Sequence, residues 1–232
     1  VNGKYAVLGV FNADSVIASG GKVTLEQSVE VRKIAEIDLA SSSYTIEDSA
    51  PSILGTDPAI LTAEGVGAVS ATEAVLEEAY QLFSDTDSVG WSYTVADSVT
   101  LADVSVSDAL VISNSANRDY SDLSVKDDAS VIDAADTGVL TSDYVAAQQV
   151  VATTTSGDDL TGMGALVSRA DTIELNGAVT LTVDQAKLTL TGAGSYSVLD
   201  TAAAIEGAVT DDSAGALDGA SSVDITEGTV FG

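Results

Sequence analysis

Oxygen is the only donor atom this chain offers in quantity. Histidine and cysteine are absent, and 36 residues are Asp or Glu against 8 Lys or Arg. Imidazole bases, thiolate nucleophiles, disulfides and most transition-metal sites are thereby removed at once. Carboxylates and carbonyls can still hold a hard cation, calcium above all. The candidate ligands are the acidic turns Asp158-Asp159, Asp127-Asp128 and Asp211-Asp212, the first lying inside Gly157-Asp158-Asp159-Leu160-Thr161-Gly162. Each of them also reads as a plain solvated turn, because Asp beside Gly, Ser or Thr is ordinary turn chemistry. Paired carboxylates can hydrolyse glycosidic bonds, but among this many acids some pair always stands at a working distance. Aromatic residues make up 5% of the chain and Trp91 is its only Trp, so Trp91-Ser92-Tyr93 is the one place where a sugar ring could stack. An aromatic at the head of a strand is more often part of a core. With no GxSxG, phosphate-loop or dinucleotide fingerprint, no catalytic residue is assigned and the chain is read as a non-enzyme.

The elements that would position these residues announce themselves by repetition. A phrase of aromatic or apolar residue, Ser/Thr, apolar residue, then Asp and a small residue returns at Tyr44-Thr45-Ile46-Glu47-Asp48-Ser49, Tyr93-Thr94-Val95-Ala96-Asp97-Ser98 and Tyr196-Ser197-Val198-Leu199-Asp200-Thr201. Weaker copies are Leu123-Ser124-Val125-Lys126-Asp127-Asp128 and Val104-Ser105-Val106-Ser107-Asp108-Ala109. The step from Asp48 to Asp97 is 49 residues and from Asp97 to Asp200 is 103, which describes a drifted repeat of about 50 residues. Each phrase reads as a strand ending at a corner. There Asp48, Asp97, Asp127 and Asp200 would bond backbone N–H groups and cap the turn.

Strand signals dominate the remainder: Tyr5 to Phe11, Ser43 to Glu47, Trp91 to Ala96, Val104 to Ser107, Ala109 to Ser113, Thr172 to Leu175, Val179 to Val183, Lys187 to Thr191 and Ser222 to Ile225 alternate or run in β-branched residues. Ser70 followed by Glu73 has capping-box spacing and predicts a helix over 71–83. Shorter helical turns are expected at Val29 to Ala35, Tyr144 to Val151 and Thr201 to Ala208. The fold expected is mainly β, a β-solenoid or β-sandwich-like repeat architecture with a few short helices. Its two β-rich regions would be 1–156 and 157–232, hinged in the Gly/Asp-rich stretch Thr153 to Gly164.

Charge limits the partners. A net charge of −28 repels phosphate backbones and anionic membranes, so nucleic acid is not expected. No apolar run approaches the ~18 residues that a bilayer span needs.

Tyr196-Ser197-Val198-Leu199-Asp200-Thr201-Ala202-Ala203-Ala204-Ile205, preceded by Val179-Thr180-Leu181-Thr182-Val183-Asp184-Gln185-Ala186, resembles the repetitive regions of large bacterial exported proteins of the RTX-adhesin and S-layer-like kind. The resemblance is specific over 170–208, looser over 13–54 and fragmentary over 91–130. It implies export, an extracellular or cell-surface location, calcium-assisted rigidity and a structural or adhesive role. The tandem glycine-aspartate nonapeptides of that family are missing. The expectation is an extracellular structural protein that self-assembles as a homo-oligomer or polymer into a layer, fibre or adhesin stalk, bridged by calcium. The alternative is a module that binds a surface glycan or ice, for which Thr180, Thr182, Thr189 and Thr191 would have to form one flat row. A halophilic source, where carboxylates serve solubility in brine, is a third reading of the same acidity.

Overall fold

A computed structural model describes residues 19–34, 37–85, 91–116, 122–135, 149–210 and 215–226. The strand expected at Tyr5 to Phe11 and the candidate ligands Asp211 and Asp212 lie outside these residues.

Two compact units divide the described residues. The first holds those up to Val99 and a segment beginning at Asn114; the second holds Thr100–Ser113 and the described residues from Asp122 onward. Thr153 to Gly164, the expected hinge, is internal to the second unit.

In the first unit the chain runs β1 (Ser19–Val23), α1 (Leu25–Val31), a 3-10 turn (Leu39–Ser41), β2 (Ser43–Ser49), α2 (Ala50–Leu54), α3 (Pro58–Leu61), β3 (Val66–Ala74), α4 (Leu76–Asp85) and β4 (Trp91–Val95). The strands form one sheet in chain order, β1-β2-β3-β4, and every pair is parallel. Val23, Ile46 and Val69 stand side by side, a step of 23 residues from strand to strand. The strand-to-strand step is therefore about half the spacing between copies of the recurring phrase, which marks every second strand of this sheet, β2 and β4. Alternation sets the faces: Tyr44 and Ile46 are buried while Thr45 and Glu47 are half-buried, as a strand with one covered face requires. The covering elements are α2, packed on β2 and β3, and α4, packed on β3 and β4.

The second unit runs α5 (Val106–Ser113), β5 (Ser124–Asp128), α6 (Ala129–Ala134), β6 (Gln149–Thr153), α7 (Leu166–Arg169), β7 (Thr172–Leu175), β8 (Ala178–Leu181), α8 (Val183–Ala186), β9 (Thr189–Gly192), β10 (Ser195–Asp200), α9 (Ala202–Thr210), α10 (Gly215–Asp218) and β11 (Val223–Ile225). It has two parallel sheets, β5-β6-β7-β9 and β11-β10-β8. The chain steps from one to the other at Asn176-Gly177 and again at Ala193-Gly194. A Cβ on Gly194 would lie 2.3 Å from the Gly177 carbonyl oxygen. Stacked corners this close, tied by the Ser195 N–H to Gly177 O bond of 3.0 Å, admit only glycine.

Three parallel sheets alternating with helices are an α/β-like arrangement, which corrects the expectation of a mainly β solenoid or sandwich. Physically, the short apolar runs were ambiguous between strand and buried helix, and the Ser, Thr or Asp after many of them is a helix N-cap. Ala109–Ser113, expected as a strand, lies in α5, and Val104 makes a single parallel bridge to Val125 before that helix starts. Val183 and Lys187 likewise fall outside the strands expected there: Val183 opens α8, and β9 begins only at Thr189. Thr182 caps α8 in a box with Gln185, just as Thr24 caps α1 with Gln27. Residues 71–74 belong to β3, not to the expected helix, which starts at Leu76. Glu73 has φ 57°, outside the geometry of a capping box, and the Val75 N–H is taken instead by the Glu78 carboxylate at 3.0 Å. Gln149–Val151, placed in a helical turn by the sequence, begins β6. Both prolines, Pro51 and Pro58, open helices, where a missing N–H costs nothing.

Candidate functional site

The strand-ending aspartates join neighbouring turns of the chain. Asp48, at the end of β2, accepts the Ser49 N–H through Oδ1 at 2.8 Å and the Leu25 N–H through Oδ2 at 3.1 Å. Leu25 is the first residue of α1, so its N–H has no partner inside that helix. Asp127 repeats the geometry on the Asp128 N–H at 2.8 Å and on Val106, the first residue of α5, at 3.0 Å. Asp200 does so again, on the Thr201 N–H at 2.7 Å and on Val183, the first residue of α8, at 3.0 Å. In each case one carboxylate closes its own corner and satisfies an orphan donor 17 to 23 residues earlier. Its negative charge also meets the positive end of a helix.

Asp97 sits differently. It is exposed in a turn closed by the Val99 N–H to Ala96 O bond of 3.0 Å. Two locks escaped the sequence reading: Asp171 accepts the Val150 N–H at 2.7 Å, and Asp133 accepts the N–H of Leu166, which opens α7, at 2.9 Å. A signal for Asp171 existed, since Ala170-Asp171-Thr172 parallels Ala13-Asp14-Ser15; Asp133 lies on a helix and had none.

The candidate cation ligands use their oxygens on the backbone. Asp158 takes the Thr155 N–H and hydroxyl at 2.6 and 2.9 Å, and Asp159 takes the Thr161 N–H and hydroxyl at 3.0 and 2.7 Å. The Thr161 hydroxyl, and after it the Thr161 N–H, hold the Asp159 carboxyl below the usual carboxylate range. Asp128 caps α6 through Ser130 at 2.9 Å. Among the described residues no group of three or more acidic side chains gathers to hold a metal ion within one chain.

On the open face of one sheet, Lys126 of β5 reaches over β6 to Glu174 of β7, 2.7 Å from nitrogen to oxygen. The pairing raises the Lys126 ammonium and lowers the Glu174 carboxyl, chiefly through that one bond. The four threonines do not share a row. Thr180 lies on β8, Thr182 caps α8, and Thr189 and Thr191 lie on β9 in the other sheet. Trp91, half-buried, lines a cleft of about 310 Å³ in the first unit with Leu61, Thr62, Val66 and Val69. No helix among the described residues is long and apolar enough to cross a membrane.

The aspartate locks tie one stretch of backbone to another. Comparison with protein-family models, with curated proteins and with solved structures found no match to this chain.

Proposed function

We propose that this chain is an extracellular structural protein that self-assembles into a layer, fibre or stalk, with no enzymatic activity of its own. The observation that carries the reading is the recurrence of one lock, a strand-ending aspartate on an orphan helix N–H, at Asp48, Asp127 and Asp200. Such a device makes each added strand stiffen the one before it. Rigidity built by repetition is what a load-bearing element needs, and units of this kind bury their apolar faces against neighbours. The scattered threonines favour a scaffold over an ice-binding face. With the candidate ligands Asp127, Asp128, Asp158 and Asp159 engaged locally, calcium would act between copies through other surface carboxylates, neutralising acidic surfaces that otherwise repel. Sedimentation velocity over a concentration series, with calcium and with chelator, tests this: species growing with concentration in calcium are expected, and monomers throughout would overturn it.

The second reading is a glycan-binding module, favoured by the cleft beside Trp91. Because Trp91 is the only Trp, its fluorescence reports directly on that cleft. A saturable shift with oligosaccharides would support the second reading, and none would remove it.

A further inference from the structure

Among the described residues β11 is an end strand whose three residues are all exposed. Ser222 O accepts from Val198 and the Thr226 N–H donates to Asp200 O, both at 2.9 Å, so residues 222, 224 and 226 face β10. By the alternation of a parallel ladder the N–H and C=O groups of Val223 and Ile225 point the other way. Among the described residues β11 pairs with β10 alone. Its side chains tell the same story, since Val223 stands in register with Val198, which is fully buried, yet is 41% exposed, and Ile225 is 53% exposed. Among the described residues an apolar sheet face thus continues to the end strand and is left exposed there. Among the described residues β1 is likewise an end strand, paired with β2 alone, with half-buried Val23 beside buried Ile46 and exposed Lys22 on the opposite face.

Resting on the assembly reading above, we infer that β11 of one copy pairs in parallel with β1 of a second copy, Asp224 beside Lys22 and Ile225 beside Val23. This register sets a carboxylate against one of the chain's eight cationic side chains and joins two apolar faces. Lys22 already bonds Glu47 and keeps ammonium donors for a second carboxylate. Of the other end strands of the second unit, β5 and β8 carry bridges to Val104 and Asp159, and β9 offers exposed Thr189, Thr191 and Gly192 around a half-buried Leu190. Because the two surfaces differ, the contact is heterologous, the type that propagates unless rotation closes it into a ring. Occupation of an exposed edge by a like strand is the usual fate of one left unprotected.

The natural chain has no Cys, which makes cross-linking clean. Differently tagged Lys22→Cys and Asp224→Cys chains, mixed and oxidised, should form the mixed disulfide about tenfold faster than Lys22→Cys with Thr191→Cys, because disulfides form only where Cβ atoms meet. In parallel, Asp224→Lys should lower the assembled fraction about tenfold, whereas Glu206→Lys, an equal change of charge on exposed α9, should leave it as it is. Equal cross-linking rates with wild type still assembling would overturn this pairing and leave the proposed function standing. Wild type that stays monomeric at every cation concentration would overturn both.

Discussion

A single aspartate oxygen pair does two jobs at each corner, so removing one should cost more than an ordinary surface substitution. Asp200→Ala strands the Val183 and Thr201 N–H groups; leaving such donors unmade costs about 1–3 kcal/mol. Asp97→Ala, on an exposed turn, should change stability by under about 0.5 kcal/mol. Urea unfolding of the two variants separates them, and equal losses would mean that the lock carries no stability. Three groups contribute to the acid and alkaline limbs of the stability profile. Asp159 and Glu174 titrate below their usual values in the folded chain. Their contribution is therefore present above the unfolded carboxylate pKa, about 4, and is lost as pH falls through the lowered folded values. Lys126 titrates above its usual value; its contribution is complete below about pH 10 and is lost as pH rises through the raised folded value. Both Lys126 and Glu174 are partly exposed, so these effects should shrink with added salt. A pH titration of stability at two salt concentrations, flat over both limbs, would contradict the pairing. At this scale the sequence was informative where the signal repeats. Asp48, Asp127 and Asp200 stood out because their phrase recurs, whereas Asp133 and its tie to Leu166 depend on a helix meeting a helix and leave no local trace.

Elements were harder to read than residues. A run such as Ala109–Ser113 is five residues long and apolar in its first four, and nothing inside it separates a strand from a helix that buries most of its surface. The deciding information lay upstream, in Ser105, whose hydroxyl accepts the Asp108 N–H at 3.0 Å. The Thr182 and Gln185 box carries the same message. Thr182→Ala should cost about 1 kcal/mol through loss of the cap of α8, visible as a lower urea midpoint with an unchanged slope. Gly194→Ala tests the stacked corner. With a Cβ 2.3 Å from a carbonyl oxygen, the backbone must move, and destabilisation larger than that of Thr182→Ala is expected. An alanine tolerated there without cost would show that the corners between β7–β8 and β9–β10 do not stack as described. Glycine at these corners was visible in the sequence; that the two glycines touch, 17 residues apart, required the fold.

For the molecule as a whole, composition excluded far more than it identified. The absence of His and Cys leaves no imidazole or thiolate chemistry, and a net charge of −28 works against a phosphate backbone. They did not distinguish parallel sheets with helices from an all-β repeat, because residues alternating in and out serve both. Charge now sets the condition for assembly: copies this acidic repel one another until counter-ions intervene. Calcium should promote association at millimolar levels, and sodium alone should do so only where screening is strong. A chain that associates equally well in either salt at matched ionic strength would place the effect in screening and not in bridged carboxylates.

Negative-stain electron microscopy of the purified chain, first in calcium and then in chelator, bears most directly on the central claim of a self-assembling structural protein. Ordered fibres or sheets that disperse on chelation are the expected result; isolated particles in both conditions, at concentrations well above micromolar, would contradict it.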